Sequence, residues 1–170
     1  FIGISNALDY LDELGINAIY FNPVFTSTAN HRYHTIDYFR IDPILGGNQA
    51  FQHFLQNAKS KNIKVVLDGV FNHTGRGFLP FMHTLENGSR SLYKDWFYFN
   101  PEWLSQSKQV EAFPANPYLI HDSYHQCGYG AWWNLPDLPK LNCKNPEVRK
   151  YILDVAKYWI DQGVDGWRLD

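Results

Sequence analysis

The chain has 170 residues, 45% of them hydrophobic and 17% aromatic, which is enough apolar material to bury a core. Its formal net charge is only -2, and no run of Lys or Arg forms a stripe that neutralises phosphates, so no nucleic acid partner is expected. No apolar stretch approaches the roughly 20 residues that span a bilayer, and no membrane partner is expected either.

In chain order, helix and strand alternate. Ser5 reads as the N-cap of an amphipathic helix through Leu14, with Leu8, Leu11 and Leu14 at helical spacing and Gly15 as its stop. The apolar run Ile16 to Phe21 predicts a strand, broken by Asn22-Pro23. Gly46-Gly47-Asn48 leads into a second helix over roughly Gln49 to Lys61, with Phe51, Phe54, Leu55 and Ala58 on one side. Ile63 to Phe71 predicts the next strand. From Thr74 to Asn145 about seventy residues lack clear periodicity, far more than an ordinary strand-to-helix connection, and predict an inserted subdomain. Pro146 suits the first helical position after Asn145, and Tyr151, Ile152, Val155 and Trp159 carry an apolar face up to Gly163, before a last strand. Alternation with short joints implies an α/β class with parallel strands and right-handed crossovers.

Two strand ends deliver polar residues, Ile63 to His73 and Val164 to Asp170. Side chains alternate across a strand, so Arg168 and Asp170 share one face, Trp167 and Leu169 share the other, and Asp68 lies with Val66 and Val70. The charges are expected to point inward. A guanidinium two residues before a carboxylate neutralises it and keeps it ionised. Plainer readings exist for each residue taken alone. Asp68 is then a strand-end turn with Gly69, His73 and His34 are satisfied loop histidines, and Tyr33 is partly buried packing. Trp132-Trp133 reads as cleft lining or as subdomain core and stays outside the site. Cys127 and Cys143 are expected as reduced thiols, Asn87-Gly88-Ser89 as a loop, and no metal ligand is assigned among His121, His125 and the two cysteines.

The motifs reverse those odds. Asp68-Gly-Val-Phe-Asn72-His73 matches the DxxxNH motif, and Gly166-Trp-Arg168-Leu-Asp170 the GxRxD motif, of the α-amylase family of glycoside hydrolases, glycoside hydrolase family 13. Further matches are His31-Arg-Tyr33-His34-Thr-Ile-Asp37-Tyr38, Asp42-Pro-Ile-Leu-Gly46-Gly47 and Leu135-Pro-Asp-Leu-Pro-Lys-Leu-Asn142. In the family's order and across nearly the whole chain, they make a specific signal. Leu138-Pro139-Lys140-Leu141-Asn142 is similar to the MPKLN segment of the cyclomaltodextrinase, neopullulanase and maltogenic amylase branch, whereas the overlapping Leu135-Pro136-Asp137-Leu138 resembles ordinary α-amylases. Lys140 and Asn142 favour the first.

The resemblance implies a partial (β/α)8 TIM barrel holding about strands 2 to 4, with an inserted domain B after the third strand. Residues 1–73 are then expected to run from helix 1 to strand 3, residues 74–145 to form domain B, and residues 146–170 to supply helix 3 and strand 4. A complete barrel takes about 250 residues. The implied activity is hydrolysis of α-1,4 and also α-1,6 linkages in α-glucans or malto-oligosaccharides by a retaining double displacement. Asp170 is the implied nucleophile and Arg168 orients it. His73 bonds sugar hydroxyls, Tyr33 stacks on the same sugar, Asp68 braces the arginine, and Asn72 fixes its loop and in some relatives ligates calcium. No cofactor is required on this reading, with Ca²⁺ the one candidate. The general acid is expected outside these residues, which makes the isolated chain inactive. An α-glucosidase or transglycosylase on the same scaffold, or a catalytically silent relative with a binding role, are the alternatives. A cytoplasmic location is expected, with secretion the alternative, and the full-length protein is expected as a homodimer.

Overall fold

The N-terminal apolar residues make two short helices rather than one. In the computed structural model, which describes residues 1–105 and 109–170, α1 spans Ile2–Asn6 and α2 spans Leu8–Glu13, joined at Ala7. Ser5 therefore lies inside α1 and caps nothing. The Phe1 ring meets Phe21 and Phe51 edge-on at 5.2 and 4.6 Å. Gly15, at φ 85°, ends the pair as expected, with the Ile16 amide returning to the Leu11 carbonyl at 3.0 Å.

β1 (Ala18–Phe21) follows, and then an antiparallel pair, β2 (Phe25–Ser27) and β3 (Thr35–Ile41), that the apolar pattern did not separate from loop. Its register is irregular, so no clean alternation marks it in the sequence. α3 (Gly47–Ser60) buries Phe51, Phe54, Leu55 and Ala58, the side that helical spacing selects. β4 (Lys64–Gly69) comes next, and among the described residues between it and the last helix are three short α-helices, α4 (Leu79–Asn87), α5 (Pro101–Leu104) and α6 (Ser123–Gln126). In this stretch Phe81 lies 5.5 Å from the Phe99 ring and 5.0 Å from Tyr129, within the same hydrophobic core as the rest of the chain. Cys127 is buried within it and Cys143 is exposed, and the two do not pair.

α7 (Pro146–Asp161) begins where Pro and Asn dictate: the Asn145 side chain accepts the Glu147 amide at 2.8 Å and Pro146 occupies the first turn. Trp159 on its buried face donates its indole N–H to the Tyr38 carbonyl at 2.8 Å. β5 (Gly166–Leu169) then pairs in parallel with β4, whose other edge pairs in parallel with β1, giving the order β1-β4-β5. Val65 and Leu67 of β4 are buried against the helices. Among the described residues no helix is long and apolar enough to cross a membrane.

Candidate active site

Parallel strands in register point side chains at the same level the same way, and Asp68 of β4 pairs with Arg168 of β5. Arg168 Nη1 accordingly lies 3.2 and 3.0 Å from the two Asp68 oxygens, and 2.7 Å from Asp170 Oδ1. One guanidinium nitrogen thus bridges both carboxylates. The Asp68 side chain has no exposed surface, whereas Arg168 keeps 47% and Asp170 24% of theirs. The Asp68 carboxylate is therefore enclosed fully, whereas the other two side chains keep exposed surface.

Asp68 also accepts from two tyrosines, the hydroxyl of Tyr20 on β1 and that of Tyr33 at 3.3 Å. A buried carboxylate needs such donors, since an unpaired charge there would be strongly unfavourable. Burial, and then Asp68 itself, raises both phenols above their ordinary range, so both remain neutral donors. The hydrogen bond to Asp170, helped by Asp68, raises the Arg168 guanidinium in the same way.

The loop after β4 carries Asn72 and His73. The buried Tyr38 hydroxyl holds it, lying 2.7 Å from the Val70 carbonyl and 2.9 Å from that of His73. Gly75 is required where this loop touches the segment before β3, because a Cβ there would sit 2.5 Å from the His34 carbonyl. His73 is buried, and its Nε2 lies 3.2 Å from the Tyr33 carbonyl, which only an N–H can satisfy. Its Nδ1 then accepts from the Asn72 amide at 3.4 Å. Both ring nitrogens are engaged, and burial holds the imidazole below its ordinary range despite the Tyr33 carbonyl and Asp170, which pull it upward.

Tyr33, His34, His73, Trp132, Trp133 and Asp170 line one cleft of about 480 Å³, a size that suits a small ligand. The structure thus joins Asp68, Arg168, Asp170 and Tyr33 in one hydrogen-bonded network and sets His73 beside it. Asn72 stands behind His73, outside the lining. Its single amide oxygen is no calcium cage, which takes six to eight oxygens, and among the described residues no group of three or more His, Cys, Asp or Glu could hold a metal ion.

Tyr20 and the two tryptophans are the site residues that sequence reasoning missed or set aside. Tyr20 was findable as the one polar-tipped side chain in the run Ala18-Ile19-Tyr20-Phe21, on a strand paired to the one that carries Asp68. Arg76 was also missed: it pairs with Asp137, bonds the Ala112 carbonyl at 2.6 Å and covers the Phe113 ring at 4.2 Å, fastening the loop after β4 to the chain beside the tryptophans.

The chain resembles known proteins along nearly its whole length. The chain is 40% identical to Neopullulanase 2 of Thermoactinomyces vulgaris, over 99% of its own length and 26% of that protein's. To the Intracellular maltogenic amylase of Bacillus subtilis (strain 168) it is also 40% identical, over 99% of the chain and 25% of the relative. The crystal structure of the Debranching enzyme from Nostoc punctiforme superposes with a TM-score of 0.81 at 49% identity, covering 98% of this chain and 32% of that one. The chain therefore spans about a quarter of the length of the curated relatives it matches. Residues 1–170 match the family described as "Alpha amylase, catalytic domain", and the chain belongs to that family.

Proposed function

We propose that the complete protein hydrolyses α-1,4, and also α-1,6, linkages of α-glucans by a retaining double displacement in which Asp170 attacks the anomeric carbon. The observation that carries this reading is the carboxylate itself: Asp170 sits at a strand tip, bonded to Arg168 at 2.7 Å, and is the one acid lining the cleft among the described residues. A nucleophile must be held in place, and the guanidinium that bridges Asp170 to Asp68 does so. Retaining hydrolysis needs a second carboxyl about 5 to 5.5 Å away as proton donor, and on this reading it comes from outside these residues, so the chain alone is inactive.

The remaining assignments follow from the same frame. Tyr33 offers its ring to the sugar while its hydroxyl stays on Asp68, and the His73 N–H turns from the Tyr33 carbonyl to a sugar hydroxyl or is shared between them. Asn72 orients His73 through its amide, and no cofactor takes part in the chemistry. The three parallel strands are read as strands 2 to 4 of a (β/α)8 barrel, with residues 1–73 and 146–170 in the barrel and 74–145 as domain B. The printed names of the relatives, Neopullulanase, maltogenic amylase and Debranching enzyme, support an α-glucan substrate. The word Intracellular in one of them supports the cytoplasm as location. Self-association into a homodimer is the quaternary state we assign to the complete protein.

Asp170→Asn in the complete protein tests the assignment. Turnover of maltohexaose is expected to vanish while its binding persists, because the shape is kept and the nucleophile is lost. A variant that retains a large share of wild-type turnover rules Asp170 out.

A further inference from the structure

We propose that the Trp133 indole is a sugar-stacking platform that extends the cleft by one glucose-binding position beyond the sugar at Asp170. This deepens the α-glucan reading and rests on it. Trp133 is 78% exposed, although an indole is among the most apolar side chains, and its backbone lies in the left-handed region at φ 51°, ψ 26°. A bulky residue rarely adopts that conformation, and here it leaves most of the side chain in solvent, with the Trp132 ring stacked against it.

The turn that holds it there is built. Asn134, also left-handed at φ 59°, accepts the Ser123 amide at 3.1 Å and hydroxyl at 3.2 Å, and donates to the His121 carbonyl at 2.9 Å. The consequence is a stair of near-parallel rings. His73 and Trp132 lie 6.3 Å apart at 17°, and Trp132 and Trp133 lie 5.8 Å apart at 18°, so the series runs from the buried histidine beside Asp170 to the open rim. All three rings line the same cleft. Flat rings in a cleft with a largely apolar lining match the C–H faces of successive pyranoses and leave the sugar hydroxyls pointing outward to water or polar groups. Glycine would occupy position 133 without strain, so the feature kept at the expense of backbone comfort is the ring.

Calorimetry on the complete protein in an Asp170→Asn background tests this without turnover, with maltohexaose and maltose as the probes. Adding Trp133→Ala is expected to weaken maltohexaose by about tenfold and maltose much less. Trp133→Phe should recover most of the loss. Trp133→Gly, which relieves the left-handed strain, should fold at least as well as wild type and show the same loss, so a misfolded alanine variant does not stall the test. Equal maltohexaose affinity in Trp133→Gly and the parent overturns the platform. Hydrolysis by the protein with an intact Asp170 is read separately: its presence alongside unchanged affinity sinks the platform alone, and its absence sinks the proposed function.

Discussion

Tyr38→Phe removes a single oxygen from the core and reports on how the loop after β4 is held. Tyr38 is 1% exposed, and its one O–H is shared between the Val70 and His73 carbonyls, at 2.7 and 2.9 Å. Phenylalanine fills the same space, so the change leaves two buried carbonyls without their donor and creates almost no cavity. The cost of a buried group left unsatisfied is about 1 to 3 kcal/mol, and the ring's contacts with Phe25, Phe71 and Phe78 are unaffected. Urea unfolding of the complete protein, with wild type and variant compared at equal m-values, should therefore show a loss of about 1 to 3 kcal/mol. Activity should fall as well, because the carbonyl released belongs to His73. A loss below about 0.5 kcal/mol, the range of an ordinary surface change, would show that the two carbonyls find other donors and that Tyr38 does not anchor the loop.

Two further outcomes are expected. Asp68→Asn keeps the shape but places an amide N–H among donors from Tyr20, Tyr33 and Arg168, so Arg168 loses one anchor and kcat/KM should fall about 10²-fold; wild-type kinetics would show that Arg168 and Asp170 need no brace. His73 should titrate below 6.5 in a histidine-resolved NMR experiment. Because its folded value is lowered, it contributes stability that is complete above pH 6.5 and is lost as pH falls through the folded value, a component that His73→Gln should lack; a midpoint above 6.5 would reverse that sign.

Local rules that agreed with tertiary packing were readable in the sequence. Asn145-Pro146 and the apolar face through Trp159 gave α7, and the Phe51 to Ala58 spacing gave α3, because each helix buries the face its sequence marks. Ser5 misled because it lies inside α1, where its side chain makes no cap. Asp68, Arg168 and Asp170 were legible from strand alternation and motif together, but the manner of their pairing was not. A planar fork suggests two guanidinium nitrogens at work, whereas Nη1 alone meets both carboxylates. Tyr20 hid because a tyrosine within an apolar run reads as core, and only the parallel pairing of β1 with β4 sets its hydroxyl against Asp68. The tryptophans hid for another reason: no spacing rule announces two successive left-handed residues at 133 and 134.

The nucleophile is the central claim, and covalent trapping tests it most directly. The complete enzyme, treated with a fluorinated α-glucosyl fluoride that forms the glycosyl-enzyme quickly and releases it slowly, should carry one sugar. Peptide mass spectrometry should place that sugar on a peptide that contains Gly166-Trp167-Arg168-Leu169-Asp170, with the ester at Asp170. A sugar on any other carboxylate, or an active enzyme that accumulates no adduct and releases a β-configured first product, would contradict it.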